Sequence, residues 1–267
     1  MEFVVLAGVL AAAGALAGLI AGLLGVGGGI VIVPVLFYLL PFAGVPDELR
    51  MHVAVGTSLA TIIATSIVSA RSHYRRGGVD TDVLKGLAIA ILVGVLVGVV
   101  FGGRAAGSTL TIIFAVVALV VSVHMAFFKG RTVSQGGLPG GPLRQVIGFI
   151  IGAFSVVMGI GGGTLSVPIF SLFGMPIRRA VGTAAAIGLI IAVPGAIGFA
   201  VSGWGIEGLP PFSLGYVSLV GFALIVPLSM SLAPLGAKLA HTIPSEWLSR
   251  AFALFLAATS IRMLTSL

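Results

Sequence analysis

Apolar residues run along this chain in stretches too long for the core of a water-soluble domain, and the stretches recur. A helix needs about 20 consecutive apolar residues to cross a bilayer, and runs of that kind fall near 3–40, 51–70, 83–101, 108–128, 143–173, 180–200, 212–235 and 247–265. These eight segments predict an all-α polytopic membrane protein. The first and fifth differ from the others. No Asp, Glu, Lys or Arg occurs between Glu2 and Asp47, or between Arg144 and Arg178, so each run exceeds one straight crossing. Each is also broken by glycine, at Gly25-Val26-Gly27-Gly28-Gly29 and at Gly159-Ile160-Gly161-Gly162-Gly163. Both are therefore expected to form two shorter helices joined by unwound backbone.

The two glycine clusters belong to an internal repeat. Gly25 to Pro34 aligns with Gly159 to Pro168 at an offset of 134, and Ala54-Val55-Gly56-Thr57 aligns with Ala180-Val181-Gly182-Thr183 at an offset of 126. Apolar helices share composition by chance, but not GxGGG, then VP, then AVGT in that order. The polar Gly/Pro-rich stretch 129–142 separates the copies and predicts an N-terminal repeat over 1–128 and a C-terminal one over 143–267.

Charge orients the copies, because Lys and Arg concentrate in cytoplasmic loops. If every segment crosses once, the 14 Lys and Arg divide 8 against 6. If the broken segments enter and return, the copies are inverted. Arg50, Arg104 and Arg262 then lie on one side and the other 11 bases on the opposite side. The stronger bias predicts inverted repeats in the cytoplasmic membrane, with both termini extracytoplasmic.

Composition narrows the class further. Of 267 residues 58% are hydrophobic and 8% charged, where soluble domains carry roughly a quarter charged; mean hydropathy is +1.25. The net charge of +7 reads as topological rather than as a nucleic-acid footprint, since no basic patch is interleaved with aromatics. There is no cysteine, which excludes disulfides and thiolate chemistry. The run from Phe3 lacks a basic n-region and is expected to be a retained helix, not a signal peptide. Forty glycines include the series Gly14, Gly18, Gly22 and Gly94, Gly98, Gly102, and the pair Gly148, Gly152. Four-residue spacing puts each set on one helical face, where small residues let backbones approach.

Intramembrane breaks expose peptide groups that no water can satisfy, so they imply a polar cavity. At Gly27, Gly28 and Gly29, and at Gly161, Gly162 and Gly163, a ligand could touch main-chain N–H groups at the positive end of the following helix, which favours an anion. Thr57, Ser58 and Thr183 could add hydroxyl donors. Thr61, Thr65, Ser66 and Ser69 extend a hydroxyl stripe without an equal in the second copy. Neither cluster precedes Lys-Ser/Thr as a P-loop would, or follows a strand as a dinucleotide fingerprint would. His52, His73, His124 and His241 have no metal-ligand spacing, and no acid–base pair stands out. No metal, cofactor or catalytic site is expected. His124, within a helix, reads as a packing residue rather than a proton relay.

The glycine motifs with their VP sequels, and Ala70-Arg71-Ser72-His73-Tyr74-Arg75-Arg76-Gly77-Gly78-Val79-Asp80, resemble the TauE/SafE sulfite-exporter family along essentially the whole chain. The resemblance implies secondary transport of a sulfur-containing anion, such as sulfite, a sulfonate or sulfoacetate, across the cytoplasmic membrane. The residues themselves suggest alternating access, the two repeats rocking about a site between the breaks, with a proton or ion as a possible coupling partner. Passive anion channels and non-transporting scaffolds stand as alternatives. The second copy has Ser202-Gly203-Trp204-Gly205 in place of the basic stretch, so any role of Arg71, Arg75 and Arg76 toward an anion is unsymmetrical.

Overall fold

The computed structural model describes residues 2–24, 27–127, 137–239 and 245–266; Gly25, Val26, most of the polar linker and His241 lie outside them. The described residues form the helices α1 (Glu2–Leu24), α2 (Gly29–Leu39), α3 (Asp47–Arg75), α4 (Thr81–Gly102), α5 (Gly107–Phe127), α6 (Gly141–Val157), α7 (Gly163–Leu172), α8 (Ile177–Ser202), α9 (Leu219–Leu239) and α10 (Ser245–Leu264). A two-stranded antiparallel hairpin, β1 (Ser213–Leu214) and β2 (Val217–Ser218), precedes α9. The all-α architecture expected from the apolar runs is observed. The first run is α1 with α2, and the fifth is α6 with α7. The run from 212 starts as the hairpin, and its helix begins only at Leu219.

Local chemistry accounts for the helix starts. Asp80 caps α4, its carboxylate accepting from the Asp82 and Val83 amides at 3.2 and 3.1 Å. Asp47 and Glu48 place negative charge in the first turn of α3. Gly28 and Gly162 cap α2 and α7 with φ of 78° and 75°, a left-handed conformation that glycine tolerates without a Cβ penalty. Among the described residues five helices, α3, α4, α5, α8 and α9, are long and apolar enough to cross a membrane. Val93, Leu96, Val97 and Val100 of α4 and Ile197 and Val201 of α8 are exposed, as befits surfaces solvated by lipid. The chain is a multi-pass membrane protein.

Two seams of small residues hold the bundle, and each joins one half of the chain to the other. A Cβ on Gly14 would stand 2.5 Å from the Ile225 carbonyl oxygen, and those on Gly18 and Gly22 would strike the backbone at Ser229 and Ala233. Residue numbers rise together, so α1 and α9 run parallel. The second seam has the same sense: Gly94 abuts Phe149, Gly98 abuts Ala153, and Gly152 abuts Ile91, making α4 and α6 parallel. In contrast α3 and α8 run antiparallel, with Gly56 against Phe199, Leu59 against Gly195, and Ser66 against Gly188.

These contacts sort the helix ends onto two sides. On one, Arg179 pairs with Asp80 at 2.8 Å, and the Arg144 guanidinium donates to the Asp82 and Val83 carbonyls at 2.8 and 3.3 Å. The starts of α4, α6 and α8 therefore share a side, and the α6–α7 segment leaves and returns to it. On the other side His52 Nε2 is 3.0 Å from the Ala105 carbonyl oxygen, and the His52 ring stacks on Tyr216 at 4.8 Å. Arg262 lies 4.7 Å over the Tyr38 ring near the end of α2. Here the α1–α2 segment leaves and returns.

The seams lend themselves to a direct test. Gly152→Val, which drives a side chain into the Ile91 backbone, should cost on the order of 3 kcal/mol, read as a lowered unfolding midpoint in detergent. Gly8→Val, with nothing within 4 Å of its Cβ, should leave the midpoint unchanged.

Candidate functional site

The two glycine breaks meet. A Cβ on Gly27 would be 3.4 Å from the Gly161 Cα, and one on Gly29 would strike the Gly159 carbonyl oxygen. Gly27, Gly28 and Gly29, and Gly159 through Gly163, are all buried. They sit against the middle of the two long antiparallel helices: Gly27 touches Ile62 of α3, and Gly162 touches Ile187 and Ile191 of α8. The segments turn here because Gly27, Gly28, Gly159 and Gly162 take φ between 66° and 78°, where a Cβ would clash with the following carbonyl oxygen. The helices α2 and α7 then start side by side, each presenting free amides and a positive dipole end to the same region. Pro34 and Pro168 lie inside them at matching places, each removing an N–H that would have bonded to Ile30 or Thr164.

Hydroxyls from α3 satisfy part of the unwound backbone. Ser58 Oγ donates to the Gly159 carbonyl at 2.7 Å, and Thr65 Oγ1 lies 3.2 Å from the Gly27 carbonyl oxygen. Thr61 Oγ1 instead donates to the Ser58 carbonyl of its own helix at 2.7 Å. Ser66, Ser69, Ser155, Thr164 and Ser166 have buried hydroxyls with no partner among the described residues. Of these, Ser155, Thr164 and Ser166 escaped the sequence reading. Their signal was available in the repeat, since the aligned positions of the first copy hold Ala21, Ile30 and Ile32.

Ser58 thus joins the six glycines, while Thr57 and Thr183 stand apart from them. Thr183 Oγ1 accepts the Asp80 amide at 2.8 Å, and Thr57 Oγ1 accepts the Ser218 amide at 2.9 Å. The preceding glycines do matching work, Gly182 lying against the Gly78 carbonyl and Gly56 against the Tyr216 carbonyl. The repeated AVGT motif is therefore a seat for the loop that leads into α4 or α9. Its two copies lie on opposite sides of the breaks. Thr183 is level with the region of Ser72, 15 residues along α3 from Thr57, which is roughly 20 Å of helix.

Electrostatically the breaks are bare. No Asp, Glu, Lys, Arg or His occurs in 3–46, 53–70, 145–177 or 180–206, so fixed charges and titrating groups stay at the helix ends. His52 and His73 lie toward opposite ends of α3, and His124 is in the last turn of α5. Among the described residues no group of three His, Cys, Asp or Glu could hold a metal ion. The buried Tyr216 phenol in the hairpin has its pKa raised by desolvation.

Helices that enter and return, paired by glycine seams inside an apolar sheath, define a polytopic membrane protein with a polar centre. The chain belongs to the sulfite exporter TauE/SafE family, whose model matches residues 10–263. It is 40% identical over 252 residues to a probable membrane transporter protein of Haemophilus influenzae, covering 94% of this chain and 95% of the relative. A probable membrane transporter protein of Methanocaldococcus jannaschii is 26% identical over 255 residues, with 92% and 91% covered. One from Bacillus subtilis is 28% identical over 218 residues, with 73% and 78% covered. No solved structure matches the chain. Family and relatives make it a membrane transporter.

Because each threonine of the AVGT motifs takes a loop amide, Thr183→Val should leave the Asp80 N–H unpaired and cost about 1–3 kcal/mol. Calorimetric or fluorescence unfolding would show the loss, and the KM for the transported substrate should stay within twofold of wild type.

Proposed function

We propose that this protein is a secondary transporter that moves a small sulfur-containing anion across the cytoplasmic membrane by alternating access. What carries the reading is the meeting of the two glycine breaks at mid-height of α3 and α8, which turns two helix N-termini toward one buried spot that has no charged side chain. Peptide dipoles held in place by the fold can bind negative charge there without burying a lysine or arginine. The family description supplies sulfite as the first substrate to try.

The halves are read as inverted repeats. The α1–α2 segment opens toward the ends bearing Arg50, Arg104 and Arg262, and α6–α7 toward those bearing Arg75, Arg76, Lys85, Arg144, Arg178 and Arg179. On the positive-inside rule the second side is cytoplasmic, which would leave both termini outside. Movement then takes a particular form. Each seam crosses between halves, so the bodies that move are the pairs α1–α9 and α4–α6, hinged at the breaks and sliding against α3 and α8.

Purified protein in liposomes should take up radiolabelled sulfite saturably, with a rate that changes when a pH gradient is imposed. Gly162→Val should abolish uptake, since its φ of 75° and a Cβ 2.6 Å from Ile191 Cδ1 leave no room for a side chain. Flux that fails to saturate would identify a channel, and no flux with or without the gradient would refute transport of sulfite.

A further inference from the structure

The polar groups at the centre are unevenly shared between the two breaks. Ser66, Thr164 and Ser166 are 1%, 3% and 0% exposed, and none of their hydroxyls has a partner among the described residues. Such orphaned donors are costly, the more so where no water reaches them. All three flank the second break. The point that a Cβ on Gly188 would occupy is 2.6 Å from Ser66 Oγ and 3.0 Å from the Gly161 carbonyl oxygen. The matching point for Gly162 is 3.8 Å from Ser166 Oγ, and Thr164 stands in the first turn of α7. The first break has apolar residues at the equivalent places. Ile30 and Ile32 replace Thr164 and Ser166, Ala192 replaces Ser66, and Ile62, the counterpart of Gly188, packs on Gly27.

The available charge is small. The segments around the breaks carry no Asp, Glu, Lys, Arg or His, the nearest on α3 being His52 and Arg71, and on α8 Arg179. Positive potential comes from the N-termini of α2 and α7, each equivalent to about half an elementary charge, so together they offset about one negative charge. A second negative charge would be buried without compensation. It would also face the Gly161 carbonyl oxygen, for which the described residues supply no donor.

We infer that the second break is a monoanion-selective site, in which the hydroxyls of Ser66, Thr164 and Ser166 and the paired N-termini of α2 and α7 bind a singly charged oxyanion and reject a dianion. The inference rests on the transport reading for its substrate class, sulfur oxyanions, and its own content is their charge state and the residues that select it. Hydrogen sulfite fits the site, and sulfite and sulfate do not.

Binding to the detergent-purified full chain, measured as ligand-dependent shift of the unfolding midpoint, tests the site separately from flux. Methanesulfonate, a monoanion throughout, should stabilise the protein equally from mildly acidic to mildly alkaline pH, while sulfate should give no shift. Apparent affinity for total sulfite should fall about tenfold per pH unit once hydrogen sulfite is depleted. Ser66→Ala and Ser166→Ala should each weaken methanesulfonate binding about tenfold, the loss of one hydrogen bond to a charged ligand. Ser166→Thr should retain binding, as should Thr61→Ala, whose hydroxyl is already engaged by its own helix. Sulfate binding as strong as methanesulfonate binding, or wild-type affinity in both alanine variants, would overturn the inference. Monoanion binding without any flux in liposomes would leave the site standing and remove the transport reading instead.

Discussion

A peptide group in the middle of a bilayer has no water to bond to, and this constraint organises the whole molecule. Eight runs of apolar sequence could satisfy it as unbroken helices, yet two of them give it up near their centres. The surrounding structure is arranged to tolerate that choice. Helix α3 lends the hydroxyls of Ser58 and Thr65 to the carbonyls of Gly159 and Gly27, while α3 and α8 wall the breaks with Ile62, Ile187 and Ile191. The glycine seams bring α1 onto α9 and α6 onto α4 so closely that neighbouring backbones touch. Without a hydrophobic effect between helices in lipid, that contact is what keeps the broken segments in place.

Much of this was legible in the chain. The glycine series at 14, 18, 22 and at 94, 98 sat on one face each because a helix repeats near 3.6 residues, and the seams use those faces. The missing charges between Glu2 and Asp47 and between Arg144 and Arg178 marked the segments that return. What stayed hidden depended on partners distant in sequence. Nothing local distinguishes Thr57, which takes the Ser218 amide 161 residues away, from Ser58 beside it, which reaches the Gly159 carbonyl. Adjacent helical positions point about 100° apart, so two neighbouring hydroxyls served different structures. The hairpin 213–218 was masked by its apolar composition, since Tyr216 and Val217 pack inward as residues of a helix would.

Symmetry of packing and asymmetry of chemistry coexist here. The duplicated residues, GxGGG, VP and AVGT, are those that shape the backbone, and they recur because both halves need the same turns and loop seats. The side chains that line the centre have diverged: Ser58, Thr61, Thr65 and Ser66 of α3 correspond in the repeat to Ala184, Ile187, Ile191 and Ala192 of α8.

The cross-half seams also constrain how such a protein can move. If one half rocked rigidly against the other, α1 would have to leave α9 and α6 leave α4, separating backbones that glycine has brought into contact. Interfaces of that kind are packed and do not deform continuously. Motion is cheaper where side chains rather than backbones meet. The α3–α8 contact qualifies, the side chains of Leu59 and Ser66 lying against Gly195 and Gly188. A broken helix can then tilt together with its partner from the other half, opening one side while the second pair closes the opposite one. On the proposed mechanism, the exchange of partners between the halves is what couples the two sides of the membrane.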